Sequence, residues 1–240
     1  MPNPYFQFKQ FTIYHDQCSM KVTTDSCLFG AWAANDMTTT GTPLHILDIG
    51  SGSGLLSLML AQQIPGSIDG IELQKSDYHQ SVKNISASPF YNRMQVFNAD
   101  ARSFSYPKKY DSIISNPPFY ESDLKSSFKG KNIAHHDDGL KLNELIPLIE
   151  RLLQPEGAFY LLLPAKRQEV IQEIITASRL FVNEVVFVRQ TENHAPFRII
   201  LKGSFSNSGI ATSEIVIKKG NFYTDEFIRL LQPYYLDKPV

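Results

Sequence analysis

Cysteine and tryptophan are scarce in this sequence, with two of the first and one of the second among 240 residues. Cys18 and Cys27 have neither the spacing of a zinc site nor the density of a disulfide framework. They read as small packed residues in a reducing compartment. An excess of one charge is also missing. The 23 Lys+Arg against 24 Asp+Glu leave a formal net charge of -1. That balance excludes a globally basic nucleic-acid binder, but not binding through local patches. No apolar run is long enough to span a bilayer, so no membrane contact is expected. Met1-Pro2-Asn3-Pro4-Tyr5 lacks the basic and apolar regions of a signal peptide, and a soluble cytoplasmic protein is the expectation. There is no internal repeat and no low-complexity tract. What is present is apolar material, 42% hydrophobic and 12% aromatic. It suffices for one sizeable core, read here as a single domain over residues 1–240.

Residues 6–15 alternate roughly and predict one or two short strands. Thr24 or Asp25 is placed to cap a helix through Leu28, Phe29, Ala31, Trp32 and Ala33. Residues 35–41 read as a turn-rich linker. From residue 44 strands alternate with helices. The predicted strands are 44–49, 67–73, 94–97, 110–115, 158–163, 181–189 and 197–205, with a weaker one at 215–217. The predicted helices are 55–64, 76–87, 140–153, 166–178 and 225–231. Such alternation implies an α/β fold, a parallel sheet covered on both faces, with residues 1–40 packing on a core at 44–205. Residues 120–139 are polar and without periodicity, and loops of that length are often functional.

Leu47-Asp48-Ile49-Gly50-Ser51-Gly52-Ser53-Gly54 falls where the first core strand passes into a helix. Glycines there let the backbone turn sharply and approach a ligand. The G-x-G-x-G spacing differs from the G-x-G-x-x-G of dehydrogenases. A carboxylate just ahead of the turn favours a cationic ligand, and the sulfonium or amino group of S-adenosylmethionine is an obvious candidate. Glu72 ends the next strand, where a carboxylate accepts from ribose hydroxyls; NAD fits that feature equally. Asp100 is read evenly as an acceptor for an adenine amino group or as a turn cap.

Asn116-Pro117-Pro118-Phe119 follows a strand directly, at the edge where open α/β sheets bind ligands. Two prolines remove two N–H donors, so the corner presents acceptors. Acceptors that grip an amine conjugated to a ring or carbonyl hold it in place and stabilise the charge that develops on nitrogen. Phe119 adds a stacking face.

With these motifs the sequence resembles class I S-adenosylmethionine-dependent methyltransferases that act on amino groups. The string from His15 through Ser19-Met20-Lys21-Val22-Thr23-Thr24-Asp25 to Leu28-Phe29-Gly30-Ala31-Trp32 narrows it. It resembles the tRNA1(Val) adenine-N6 methyltransferase family, whose substrate adenine lies immediately 3′ of the anticodon. The resemblance implies a Rossmann-like, mostly parallel seven-stranded sheet with helices on both faces. It implies S-adenosylmethionine as cofactor and tRNA, tRNA1(Val) in particular, as partner, with no metal and no obligate protein partner. Asp48, Gly50, Gly52 and Gly54 would line the methionine part of the cofactor. Glu72 would hold the ribose, and Asp100 with Ala101 the adenine edge. Asn116, Pro117, Pro118 and Phe119 would grip the target base. Lys21, Thr24 and Asp25 would lie near the cofactor tail.

His135-His136-Asp137-Asp138 reads as a solvated loop rather than a metal site. Trp32 reads as core, with cover over the cofactor as a second role. Lys75, Lys83, Arg93, Arg102, Lys108 and Lys109 form a basic stretch, either an ordinary solvated face or a shoulder for tRNA phosphates. Lys108 and Lys109 lead that second reading, with Arg189 and Arg198 behind them. A protein glutamine methyltransferase acting on a release factor is the alternative function, because the same corner suits an amide. Such enzymes usually carry a helical domain before the sheet, and only a short stretch precedes Leu44. A non-enzymatic nucleotide-binding module would not need the Asn-Pro-Pro-Phe corner. A DNA adenine methyltransferase would usually need a target-recognition insert.

Overall fold

The computed structural model describes residues 3–117 and 139–236. Pro118, Phe119 and nearly all of the 120–139 loop, including His135-His136-Asp137-Asp138, lie outside the described residues.

Two short strands, β1 (Tyr5–Gln7) and β2 (Thr12–Tyr14), pair antiparallel with Tyr5 opposite Tyr14. Helix α1 (Thr24–Met37) follows. The remaining elements alternate: β3 (Leu44–Ile49), α2 (Leu55–Gln63), β4 (Gly66–Glu72), α3 (Lys75–Ser86), β5 (Met94–Asn98) and β6 (Tyr110–Ser115). Beyond the undescribed loop come α4 (Leu142–Leu152), β7 (Leu153–Pro164), α5 (Gln168–Thr176), β8 (Phe181–Thr191) and β9 (Arg198–Ser204). The chain closes with β10 (Ala211–Lys219), β11 (Phe222–Tyr223) and α6 (Asp225–Leu231).

One sheet organises the described residues, in the order β11-β10-β8-β9-β7-β6-β3-β4-β5. It has nine strands, not seven, and does not stop at residue 205. β10 joins β8 in parallel from Ala211 to Lys218, and β11 folds back on its end. The polar start of β10, Ala211-Thr212-Ser213-Glu214, is exposed. Backbone pairing places it there rather than apolar burial. The rest of the sheet is parallel except β9, which runs against both β7 and β8.

The period of two assigns each strand residue a face. In β7, Tyr160 and Leu162 join the core under α1 and α2, whereas Phe159, Leu161 and Leu163 join the core under α4 and α5. Helix α4 buries Leu145, Ile146, Leu148, Ile149 and Leu152 along one stripe. Each such side chain contributes about 1.5–3 kcal/mol. The linker expected at 35–41 is α-helical as far as Met37 and 3-10 helical over Thr38–Thr40. Asp36 explains the extension, because its carboxylate accepts from Tyr160 Oη at 2.7 Å and Lys202 Nζ at 2.8 Å. Trp32 stands edge-on to Tyr160, with ring centroids 6.2 Å apart.

Three ties bind the N-terminal segment to this frame. Phe8 bridges Tyr235 in a buried aromatic cluster. The Asn84 side chain accepts from Tyr14 N and donates to the carbonyls of Tyr14 and Ser53. The Asp77 carboxylate accepts from the backbone N–H and hydroxyl of Ser19. The last tie lays Ser19, Met20 and Lys21 beside the C-terminal ends of the strands. No helix among the described residues is long and apolar enough to cross a membrane.

Candidate active site

A cleft of about 300 Å³ opens at the C-terminal ends of β3, β4, β5 and β6. Its floor is the turn from β3 into α2. Gly50, Gly52 and Gly54 have φ of 74°, 53° and 82°, a region that side chains other than glycine rarely tolerate. Gly50 N and Ser51 N both donate to Ile71 O, which folds the turn over the end of β4. A Cβ on Gly50 or Gly52 would meet nothing within 4 Å, so space above the turn is open. Gly54 does not line the cleft; it lets α3 approach, with Ser81 Cβ 3.4 Å from where its own Cβ would stand.

Glu72 lines the next wall. Its Oε2 accepts from Gly52 N at 2.9 Å and its Oε1 from Gln74 N at 2.8 Å. Burial pushes its carboxyl above the ordinary value, and backbone donors at Gln74, Gly52 and Leu73 pull it back. A carboxylate offers about four lone-pair sites, so roughly two stay open to a ligand. Leu73, Ala99, Ala101 and Leu140 form an apolar slot beyond it.

Asn116 and Pro117 form the opposite wall. Ser115, just before them, anchors β6 to β3 through Oγ donating to Ile49 O at 2.7 Å. Asn116 Nδ2 donates to Ser26 Oγ at 3.1 Å. Its Oδ1 is buried and has no hydrogen-bond partner among the described residues. An unpaired buried acceptor costs about 1–3 kcal/mol, so this atom favours a donor that the described residues do not supply.

Comparison with known proteins settles the class. Residues 34–200 match the family described as methyltransferase small domain. A protein of Phocaeicola vulgatus named tRNA1(Val) (adenine(37)-N6)-methyltransferase is 38% identical over 238 residues, 99% of this chain and 100% of that protein. One of the same name from Pseudoalteromonas translucida is 38% identical over 96% of this chain and 98% of its own length. The chain belongs to the tRNA1(Val) (adenine(37)-N6)-methyltransferase family. Solved structures agree on the fold. A predicted O-methyltransferase of Agrobacterium tumefaciens superposes with a TM-score of 0.67 at 14% identity, covering 87% of this chain and 96% of its own. Magnesium protoporphyrin IX methyltransferase of Synechocystis, solved with bound S-adenosylmethionine, gives 0.55 at 16% identity over 76% of this chain and 80% of its own.

The chain is therefore a methyltransferase of the class I fold, and S-adenosylmethionine is its cofactor. The cleft of this tRNA1(Val) methyltransferase family member fits that molecule. The open space over Gly50 and Gly52 admits the chain of an amino acid. Glu72 has lone pairs to spare, and the slot lined by Leu73, Ala99, Ala101 and Leu140 is apolar, as a flat ring requires.

Several expected residues stand elsewhere than the sequence implied. Asp48 does not line the cleft; it is fully buried beneath the turn. Its Oδ2 accepts from Ser57 Oγ at 2.7 Å, and its Oδ1 is unpartnered among the described residues. Asp100 and Ala101 line the cleft, but both Asp100 oxygens accept from the Arg102 guanidinium at 2.7–3.0 Å. Those bonds hold the Asp100 carboxyl below its usual range. Lys21 lines the rim, with Nζ donating to His15 O at 2.6 Å. Thr24 and Asp25 do not line it; Asp25 pairs with Arg198 Nε at 2.7 Å. Trp32 does not cover the cleft either. Cys18 and Cys27 are buried, and burial pushes both thiols up to about 12, which suits packing rather than nucleophilic work.

The basic shoulder separates into unrelated roles. Arg93 donates to the carbonyls of Ala61, Ile64 and Gly66 and so caps α2. Lys108 Nζ lies 3.4 Å from Asp69 Oδ2 and over the Tyr110 ring. Lys108 and Lys109 precede β6, whereas Asn116 follows it. Six residues at about 3.3 Å each put about 20 Å between them, on opposite edges of the sheet.

Sequence reasoning missed Ser26, Asp77 and Asn84. Their partners lie far along the chain, and no local pattern marks them.

Burial pushes the Asp48 carboxyl up to about 7, with the Ser57 hydroxyl pulling the other way. The folded state thus holds this proton more tightly than the unfolded chain, whose carboxyl keeps an ordinary value near 3.8. The stability from this group is complete below about pH 4 and is lost as pH rises through about 7. Urea unfolding of Asp48→Asn at pH 5 and pH 8 should show a smaller loss of stability than the wild-type chain. An identical slope in both proteins would contradict the assignment.

Proposed function

We propose that this chain methylates N6 of adenine 37 in tRNA1(Val), the reaction named for its relatives. The observation that carries this reading is the buried, unpartnered Oδ1 of Asn116, a residue that lines the cofactor cleft. S-adenosylmethionine supplies the methyl group from an electrophilic sulfonium. Glu72 accepts from the ribose hydroxyls through its open lone pairs. Gly50 and Gly52, with nothing within 4 Å of where a Cβ would stand, would leave the methionine moiety room against the backbone.

An exocyclic adenine amine is a weak nucleophile because its lone pair is shared with the ring. Asn116 Oδ1 and the Pro117 carbonyl accept its two N–H bonds. That grip holds the nitrogen in position and stabilises the positive charge developing there. The proton is acidic only after transfer, so water suffices to take it. Pro118 and Phe119 complete the proposed grip, Phe119 by stacking. An anticodon-loop base reaches this corner once it is splayed from its neighbours.

With Lys108 and Lys109 at the far edge, tRNA phosphates are assigned to the edge that carries Asn116. Lys166 and Arg167 follow β7 there, and Arg198 opens the antiparallel β9 opposite Pro164. The double variant Lys166→Glu/Arg167→Glu should weaken tRNA binding about tenfold, as loss of phosphate contacts does. Lys109→Glu should leave binding unchanged within about twofold. Filter binding at fixed salt compares them, and the opposite ranking would reverse the docking face.

The function itself is tested with labelled S-adenosylmethionine, bulk unmodified tRNA and, separately, a release factor. Label in N6-methyladenosine after digestion supports the reading. Label on a release-factor glutamine instead overturns it in favour of the protein substrate.

A further inference from the structure

The Asn116 amide works only one way round. Its oxygen must face the target amine, and its NH₂ must face away. A free amide at a strand end turns about its own bond, so something has to fix it. Two groups do, and both come from the N-terminal segment. Ser26, in the first turn of α1 and only 4% exposed, takes the Nδ2 hydrogen at 3.1 Å. Met20 Sδ lies 4.0 Å from the same nitrogen. A hydroxyl serves as donor or acceptor, but a thioether sulfur only accepts. The pair therefore accepts nitrogen and disfavours oxygen on that side, which leaves Oδ1 on the side away from Ser26 and Met20.

The Ser26 hydroxyl has its own direction. Its oxygen lies 2.8 Å from Thr23 Oγ1. Thr23 is the N-cap of α1, yet its side chain caps no backbone N–H. With Nδ2 donating into Ser26 Oγ, the Ser26 proton is free to go to Thr23 Oγ1. Each oxygen then has a compatible role, and the chain of donors runs one way from Asn116 to the surface. The reversed amide would need Ser26 to donate inward and would set oxygen beside sulfur.

The geometry points to Ser26 as a positioning residue for methyl transfer, acting through Asn116 with Thr23 behind it. This inference rests on the proposed role of Asn116. It gives the N-terminal segment a part in the chemistry. The ties at Asn84 and Asp77 hold that segment against the core, and α1 then presents Ser26 to the end of β6.

The test is a double-mutant cycle at saturating cofactor and tRNA, with melting temperature measured for each variant. Ser26→Ala should lower kcat about tenfold, equivalent to about 1.4 kcal/mol. Its KM for S-adenosylmethionine should stay within about twofold, because Ser26 acts on the acceptor side. In an Asn116→Ala background the same change should alter kcat by less than about twofold, since the group it orients is gone. Thr23→Val should give a smaller loss of the same sign, about threefold. Full activity in Ser26→Ala, or an equal tenfold loss in both backgrounds, would overturn the assignment. If Asn116→Ala were itself fully active, the reading of the corner would fall, and the role of Ser26 with it.

Discussion

Asn116→Ala is expected to lose turnover by about 10²- to 10³-fold while its affinity for S-adenosylmethionine stays within about twofold. The size follows from what one pre-positioned acceptor does in a water-poor site. It meets the developing charge without reorganising, which no solvent molecule replaces at the same moment. The split follows from position. Asn116 follows β6, whereas the groups assigned to the cofactor stand on the turn after β3 and at or just after the ends of β4 and β5. Single-turnover kinetics and calorimetric titration separate the two quantities. A parallel fall in both would make Asn116 a cofactor ligand instead. Asn116→Asp is a sharper variant. It keeps two acceptors but loses the donor to Ser26, so it should recover only part of the loss.

Glu72→Ala should weaken cofactor binding about a hundredfold, or about 3 kcal/mol. Hydrogen bonds to a charged acceptor contribute about 1.5–3 kcal/mol each, and two ribose hydroxyls are assigned to this one. The same carboxylate also accepts from Gly52 N and Gln74 N, so its loss releases the turn that floors the cleft. Glu72→Gln should not rescue binding. Whichever way the amide turns, its NH₂ faces one of those backbone N–H groups. Titration calorimetry of both variants decides this. Affinity in Glu72→Gln equal to wild type would show that charge and acceptor count at this position are immaterial.

Much of the fold was legible because the chain punctuates itself. β3, β6 and α6 begin and end at the residues expected. The start of β10 was not legible. Ala211-Thr212-Ser213-Glu214 is polar and exposed, and pairing with β8 makes it a strand. The helical state of Asn35 and Asp36 was hidden for a similar reason, since Tyr160 and Lys202 hold Asp36 from distant strands.

The site divides along the same line. The glycine turn, Glu72 and Asn116 declare themselves by residue type at a strand end. Asp48 does so misleadingly. An acid in that place points either at the ligand or into the core, and only packing shows that it is buried. The positions of Lys108 and Lys109 were available in principle. A parallel strand has a direction, and residues before it lie at the edge away from the ligand. Ser26 carried no signal, because a serine in the first turn of a helix is ordinary until β6 arrives beside it.

The most direct measurement uses two transcripts of tRNA1(Val), one unaltered and one with adenine 37 replaced by guanine. Each is incubated with labelled S-adenosylmethionine and the wild-type chain, then digested to nucleosides. The account predicts one N6-methyladenosine per molecule of the unaltered transcript and none in the other. Equal label in both, or label in any other nucleoside, would contradict it.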